Sequence, residues 1–128
     1  MKRITIQEAI DKIDMLKPNV FPVEQKVSWL SDLDSMVWEE IYQTHEGLAP
    51  EAEYHGYDQD TLTSTLLLVP EPYTDVYHHY MALQMDLANA DSTKYMQDKS
   101  LFNGAYQTFG DFWRRTHMPK IRRKHIRF

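Results

Sequence analysis

Hydrophobic side chains recur at helical spacing in four stretches of the chain. The first stretch begins at Thr5 and Glu8, whose spacing is that of a capping box, and predicts a helix that runs to about Lys17. The second predicts a helix from Pro22, a residue favoured in the first turn, to about His45. Its buried stripe is expected to consist of Val23, Val27, Leu30, Leu33, Val37 and Ile41.

Two further helices are predicted in the second half of the chain. The third helix is predicted to begin at Pro72 and to end at Asp91 and Ser92. These two residues also cap the fourth helix, which is predicted to stop before Pro119. The apolar faces of the two helices comprise Tyr73, Val76, Tyr77, Tyr80, Leu83 and Leu87, and then Tyr95, Phe102, Tyr106, Phe109 and Trp113. We therefore predict a mainly α, four-helix bundle-like domain over residues 1–119. Its core should include Leu30, Val37, Leu83, Phe102, Tyr106 and Phe109.

Residues 46–70 interrupt the helical pattern. Glycines, prolines and the polar stretch DQDTLTST favour a long central loop, with one or two short strands at 51–57 and 62–69 that would pair as a short β-hairpin. A loop of this length is uncommon in a compact domain and tends to be functional. We therefore expect an assembly element, and we expect that deletion of 50–64 would leave the helices folded.

The composition excludes several classes of protein. A chain of 128 residues is long enough for one core. It contains no cysteine, which excludes disulfides, thiol catalysis and cysteine-ligated metal sites. No apolar run approaches the ~20 residues of a membrane span, and the N-terminal stretch lacks the apolar region of a secretion signal. These features predict a protein made and kept in the cytoplasm.

Charge is distributed very unevenly along the chain. Residues 1–113 hold seven basic and all nineteen acidic residues, so their net charge is −12. The last fifteen residues hold seven basic residues and no acid, which gives a charge of +7. Residues 120–128 are expected to form an extended basic tail. The candidate partner-binding residues are Arg114, Arg115, Lys120, Arg122, Arg123, Lys124 and Arg127.

His78 and His79 are the best candidate metal ligands, with Asp75 one helical turn before the second histidine. Adjacent residues on a helix are expected to point to different sides, so we do not expect the two imidazoles to chelate one ion. The stretch from Asp58 resembles a calcium loop only at its start. Thr63 and Val69 occupy the positions that require glycine and a bidentate glutamate.

No motif of nucleophilic catalysis or of phosphate binding occurs in the sequence. The acids of the second helix, Asp32, Asp34, Glu39 and Glu40, could be imagined as catalytic pairs, but a solvated helix face is the better interpretation. We therefore expect a protein that is not an enzyme and that binds no metal or cofactor. Tyrosine, tryptophan and methionine are abundant, and these residues are enriched at protein interfaces.

Several short motifs resemble those of one family in their order and spacing. They are KPN at 17–19, WLSDLD at 29–34, THE at 44–46, LLVPEPY at 67–73, ALQMDLAN at 82–89, FNGAY at 102–106 and RTHMP at 115–119. In these the chain resembles the small head–tail connector (adaptor) proteins of tailed phages and prophages of Gram-positive bacteria.

The resemblance implies a mainly helical structural protein of the virion. Such adaptors form a homo-oligomeric ring, commonly of twelve copies, beneath the portal protein. They join it to a tail-side head-completion protein and extend the channel through which DNA passes as cargo. No catalysis, cofactor or membrane belongs to that role. The implied location is the host cytoplasm during assembly and then the head–tail junction of the virion.

The basic tail leaves two interpretations open. Lysines and arginines bind nucleic acid by releasing counterions from phosphates, so the chain could be a small DNA-binding accessory or regulatory protein. Alternatively, the tail docks on an acidic surface of the portal or of the next subunit. We favour docking on protein, because a DNA conduit should not grip its cargo and an acidic body suits a channel wall that repels phosphate.

Overall fold

The computed structural model describes residues 2–44 and 54–119. The fold is mainly helical, at about 64% helix, with four helices and a small antiparallel sheet in this part of the chain. In chain order the elements are β1 (Arg3–Thr5), α1 (Ile6–Leu16), α2 (Val23–Val37), a π-helical turn (Trp38–Tyr42), β2 (Leu66–Pro70), α3 (Asp75–Ala88) and α4 (Ser92–Thr116).

The predicted capping box starts α1. Glu8 N donates to Thr5 Oγ1 at 3.1 Å, and Thr5 N donates to Glu8 Oε1 at 3.0 Å. These two bonds satisfy backbone donors that the first helical turn leaves without intrahelical partners. The helix buries Ile6, Ala9, Ile10 and Ile13 on one face and ends at Leu16, as the sequence predicts.

The second helix is α-helical only as far as Val37 and then continues as a π-helical turn, in which Gln43 N donates to Trp38 O at 2.9 Å. Its predicted stripe is buried with one exception: Val23, in the first turn, is half exposed. The predicted end at His45 lies outside the described residues. Pro22 is the N-cap rather than the first helical residue.

The described residues do not form the predicted hairpin. The strand β2 pairs with β1 near the N-terminus, in an antiparallel register that places Arg3 opposite Pro70 and Thr5 opposite Leu66, with an irregularity between. The predicted strand at 51–57 is coil where it is described, from residue 54 onward. Pairing continues beyond the sheet, where Gln7 N donates to Thr63 O at 3.0 Å.

The last two helices pack on each other, and α3 also contacts α1 and α2. The helix α3 begins at Asp75, after a turn that contains Pro72, and Asp91 caps α4 by accepting from Lys94 N at 3.1 Å. The predicted core residues Leu30, Val37, Leu83, Phe102 and Phe109 are buried. Tyr106 is half-buried and donates to Glu40 Oε1 at 2.6 Å.

The buried hydrophobic residues of α1 to α4 belong to one core, and those of α4 are aromatic. Tyr42 stacks on Trp113 with ring centroids 4.4 Å apart, and Trp113 stacks in turn on His117 at 3.7 Å. In the part of the chain that the structure describes, no helix is both long and apolar enough to cross a bilayer.

Candidate functional site

The most unusual polar group of the structure is the carboxyl group of Asp34, which is 0% exposed. It lies on the inner face of α2, between Leu30 and Val37 in the buried stripe. The interpretation of the α2 acids as one solvated face is therefore wrong for Asp34. It holds for the other three acids, Asp32, Glu39 and Glu40, which are exposed.

Three donors from three separate segments satisfy the Asp34 carboxylate. Tyr57 Oη donates to Oδ2 at 2.6 Å, and Leu68 N donates to the same oxygen at 3.0 Å. Tyr77 Oη donates to Oδ1 at 2.7 Å. A buried charge is tolerated only when hydrogen bonds replace its hydration, and these three hydrogen bonds do so for Asp34. Asp34 thus ties α2 to the central segment, to β2 and to α3.

Tyr77 and Tyr42 extend this network along β2. The hydroxyl of Tyr77 accepts from Val69 N at 2.7 Å while it donates to Asp34. Tyr42 Oη donates to Leu68 O at 2.7 Å from the π-helical turn. Side chains of α2, of the π-helical turn and of α3 therefore satisfy backbone groups of β2, so these elements hold the short strand in addition to its pairing with β1.

Burial raises the pKa of Asp34 to about 6, against the opposing effect of the three hydrogen bonds and of the more distant Arg3 guanidinium. The pKa of Tyr77 lies well above its usual value, because the ring is buried and its hydroxyl faces this carboxylate. The same causes raise the pKa of Tyr57. Both tyrosines therefore remain donors throughout the neutral range.

The central segment is bound to α2 by more than Asp34. Tyr54 Oη donates to Ser31 O at 2.9 Å, and Tyr57 N donates to Ser31 Oγ at 3.0 Å. Tyr54 also packs its ring against Trp38, with centroids 6.1 Å apart. Because deletion of 50–64 would remove Tyr57 from Asp34, we now expect that deletion to destabilise the helices rather than to leave them intact.

Two ion pairs hold other parts of the helical packing together. Lys26, although 4% exposed, reaches Asp14 Oδ1 with its ammonium group at 2.6 Å. Lys17 Nζ pairs with Asp86 Oδ1 and lies 3.4 Å from Asp98 Oδ2, so it joins α1 to α3 and α4. Burial and the neighbouring Asp98 raise the pKa of Asp86, which Lys17 partly offsets.

The two adjacent histidines do not diverge as the sequence suggested. The ring centroids of His78 and His79 lie 4.4 Å apart, and burial together with the neighbouring imidazole lowers the pKa of His78. Across residues 2–44 and 54–119, no group of three or more possible ligands from His, Cys, Asp and Glu could hold a metal ion. Asp58 instead accepts from Asp60 N at 2.8 Å in a local turn.

Of the candidate partner-binding residues, Arg114 and Arg115 lie exposed in the last turn of α4. Arg114 Nη1 lies 3.9 Å from Asp111 Oδ1, one turn earlier on the same helix. Lys120, Arg122, Arg123, Lys124 and Arg127 lie outside the described residues. The two described arginines therefore place the start of the basic stretch at the C-terminal end of α4, where cations are favoured by the helix dipole.

Sequence reasoning missed Asp34 although a signal was present. Leu30, Asp34, Val37 and Ile41 follow one another at steps of four, three and four, which places the acid inside an apolar stripe. An acid at such a position requires buried donors, and tyrosines are abundant in this chain. Which tyrosines supply those donors depends on long-range packing.

Comparisons with known proteins identified no relative of this chain. Neither the models of protein families, nor the curated proteins, nor the solved structures gave a match to the chain.

Proposed function

We propose that this chain is a structural adaptor of a phage or prophage virion, which assembles as a ring beneath the portal protein and extends the DNA channel. The observation that carries the proposal is the ordered series of motifs in which the chain resembles such adaptors along most of its length. Each subunit is proposed to be a bundle-like unit of four helices, with the segment before β2 as a fixed projection.

The packing of these motifs is consistent with the proposal. WLSDLD and LLVPEPY lie more than thirty residues apart in the sequence, yet Leu68 N of the second donates to Asp34 Oδ2 of the first. ALQMDLAN contributes Asp86, which pairs with Lys17 of KPN. These four motifs therefore share a physical role, since they form polar contacts that fix helices and β2 relative to one another.

The basic end of the chain is proposed to dock on protein. Arg114 and Arg115 continue into five further basic residues in 120–128, while residues 1–113 carry a charge of −12. An acidic surface of the portal or of a neighbouring subunit would attract this end. Contacts between exposed charges are screened beyond about 8 Å at physiological ionic strength, so this docking should weaken as salt rises.

A titration tests this proposal. Full-length protein and a variant ending at Pro119 are each titrated with purified portal protein from the same genome and with duplex DNA. We expect the full-length chain to bind the portal in a salt-sensitive manner and the truncated chain to bind it more weakly. Circular dichroism should show the same helix content in both. Binding to arbitrary DNA should stay within the ordinary non-specific range of ~10⁻⁴–10⁻⁶ M.

The exposed arginines at the end of α4 also favour a second candidate, a small DNA-binding accessory or regulatory protein. That function requires tight, sequence-dependent binding to DNA that is lost on truncation at Pro119, with no affinity for the portal. The genomic neighbourhood separates the two candidates as well. Portal and capsid genes upstream and tail genes downstream support the adaptor, whereas a solitary gene beside a promoter supports the regulator.

A further inference from the structure

The segment 58–66, which we call the tip, carries two exposed carboxylates, Asp58 and Asp60, and two exposed leucines, Leu62 and Leu66. Leu62 is 75% exposed and Leu66 is 45% exposed, although both are large aliphatic side chains. The tip is nevertheless fixed to the fold, because Gln7 N donates to the carbonyl oxygen of the adjoining Thr63 at 3.0 Å. The tip therefore presents apolar side chains beside two carboxylates in a defined position.

A second patch, which we call the slot, is a groove of about 430 Å³ between α1, α3 and α4. Leu16 and Leu101 are its exposed apolar walls, at 52% and 53% exposure. Lys94 lies on its rim and makes no ion pair with any described residue, whereas Lys17 is paired with acids of α3 and α4. The slot thus places two exposed leucines beside a cation that has no ion-pair partner among the described residues, and its lining also includes His78, His79 and Asp98.

We propose that the tip of one copy of this chain binds in the slot of a second copy. Leu62 would lie between Leu16 and Leu101, and the Asp60 carboxylate would approach the Lys94 ammonium. The match is one of complementarity: each patch leaves large apolar side chains in water, and the acid of one faces the cation of the other. The proposal deepens the adaptor function and rests on it.

The positions of the two patches require the contact to join different copies. The tip adjoins Gln7 at the start of α1, and Leu16 lies nine residues further along the same helix, a distance of ~14 Å. The tip therefore cannot fill its own slot. A contact between two different patches is heterologous, and repetition of such a contact closes a ring when its rotation permits.

Engineered disulfides test the contact, since the chain contains no cysteine of its own. A Leu62→Cys variant is mixed with a Leu101→Cys variant and oxidised, both as free chains and bound to the portal. The control replaces the partner by Val20→Cys, because Val20 is 99% exposed and belongs to neither patch. We expect the Leu62–Leu101 mixed dimer to form at least ~10-fold faster than the control pair, because docking raises the effective concentration of the two thiols.

Charge reversal provides an independent measurement by sedimentation. Lys94→Glu should weaken self-association, and addition of Asp60→Lys to the same chain should restore it, while Asp60→Lys alone weakens it. Both sites are exposed, and glutamate is favoured in the first turn of α4, so the variants should fold. Failure of the double variant to recover association would contradict the proposed pairing.

The cross-linking outcomes also separate this contact from the adaptor function. Cross-linking at the control rate in both states, or a preference for Leu62–Leu62 or Leu101–Leu101 dimers, overturns the contact. Portal binding without the Leu62–Leu101 link overturns the contact and leaves the adaptor function standing. The link without portal binding supports the contact and removes the adaptor function.

Discussion

Tyr77 Oη donates a hydrogen bond to Asp34 Oδ1 at 2.7 Å, and so joins α3 to the buried face of α2. The same oxygen accepts from Val69 N at 2.7 Å. One hydroxyl thus satisfies a buried carboxylate and a buried backbone donor together. Asp34 also binds Tyr57 of the central segment, which makes it the point at which four parts of the fold meet.

Removal of the two hydroxyls should have unequal effects. Tyr57→Phe and Tyr77→Phe should each lower the free energy of unfolding by about 1–3 kcal/mol, because each removes a donor from a buried carboxylate. Tyr77→Phe should cost more, since it also leaves Val69 N without an acceptor. Urea denaturation of both variants measures the difference. Tyr95→Phe is the control, because the Tyr95 hydroxyl makes no hydrogen bond within the described residues. Equal losses in all three variants would contradict the account.

The raised pKa of Asp34 predicts the direction of a pH effect. The folded-state pKa of about 6 exceeds the ordinary value of 3.8, so the folded state binds the proton more tightly than the unfolded state does. The contribution of Asp34 to stability is therefore fully present below pH 3.8 and is lost as the pH rises through 6. Between pH 4.5 and pH 7.5 this loss amounts to about 2 kcal/mol.

Comparison with Asp34→Asn isolates this effect, because other groups titrate equally in both proteins. The free energy of unfolding of the wild type, minus that of the variant, should fall by about 2 kcal/mol from pH 4.5 to pH 7.5. Carboxyl ¹³C chemical shifts measure the Asp34 pKa directly in the folded protein. A value at or below 4 would show that the hydrogen bonds outweigh burial, contrary to our expectation.

Within the Lys26–Asp14 ion pair, replacement of the lysine by an apolar residue should cost less stability than removal of the aspartate. Asp14→Ala should cost about 1–3 kcal/mol, because it leaves the buried ammonium group without its acceptor at 2.6 Å. Lys26→Met keeps the apolar stem and removes the charge, so it should change stability by less than about 1.5 kcal/mol. Asp11→Ala, at an exposed site on the same helix, is the control. The reverse order of costs would show that the ion pair itself stabilises the fold.

Phe109 should be the most sensitive position on α4. Its ring is 0% exposed and packs against Tyr42, Tyr73 and Trp113, with centroids 6.3, 5.7 and 6.1 Å away. Phe109→Ala should lower the free energy of unfolding by about 3–5 kcal/mol. Met96→Ala, at an exposed site on the same helix, should change it by no more than about 0.5 kcal/mol. A small effect at Phe109 would mean that its surroundings can collapse into the cavity.

The sequence predicts the helices well because their signals are local. A capping box, prolines and repeated apolar positions define α1 and most of α2, and the aromatic spacing defines the buried face of α4. The sheet could not be found in this way. Only the three residues Arg3–Thr5 form β1, too few to show an alternating pattern, and their partners lie more than sixty residues away.

The burial of charged residues was harder to predict from the sequence than the helices were, and the difficulty has a physical reason. Asp34 and Lys26 lie on the apolar stripe of α2, yet the usual preference of charged side chains for water argues for exposure. Their partners Tyr57, Tyr77 and Asp14 come from elements that only tertiary packing brings near. The two slot residues Leu16 and Leu101 likewise come to line one groove only in the folded structure.

Electron microscopy of the portal protein mixed with this chain tests the adaptor function most directly. We expect a ring of added density beneath the portal, with about the twelve copies that the resemblance implies and with a central channel continuous with that of the portal. The truncated chain ending at Pro119 should occupy that ring less completely. Portal particles that remain unchanged at saturating concentrations of the full-length chain would contradict the adaptor function.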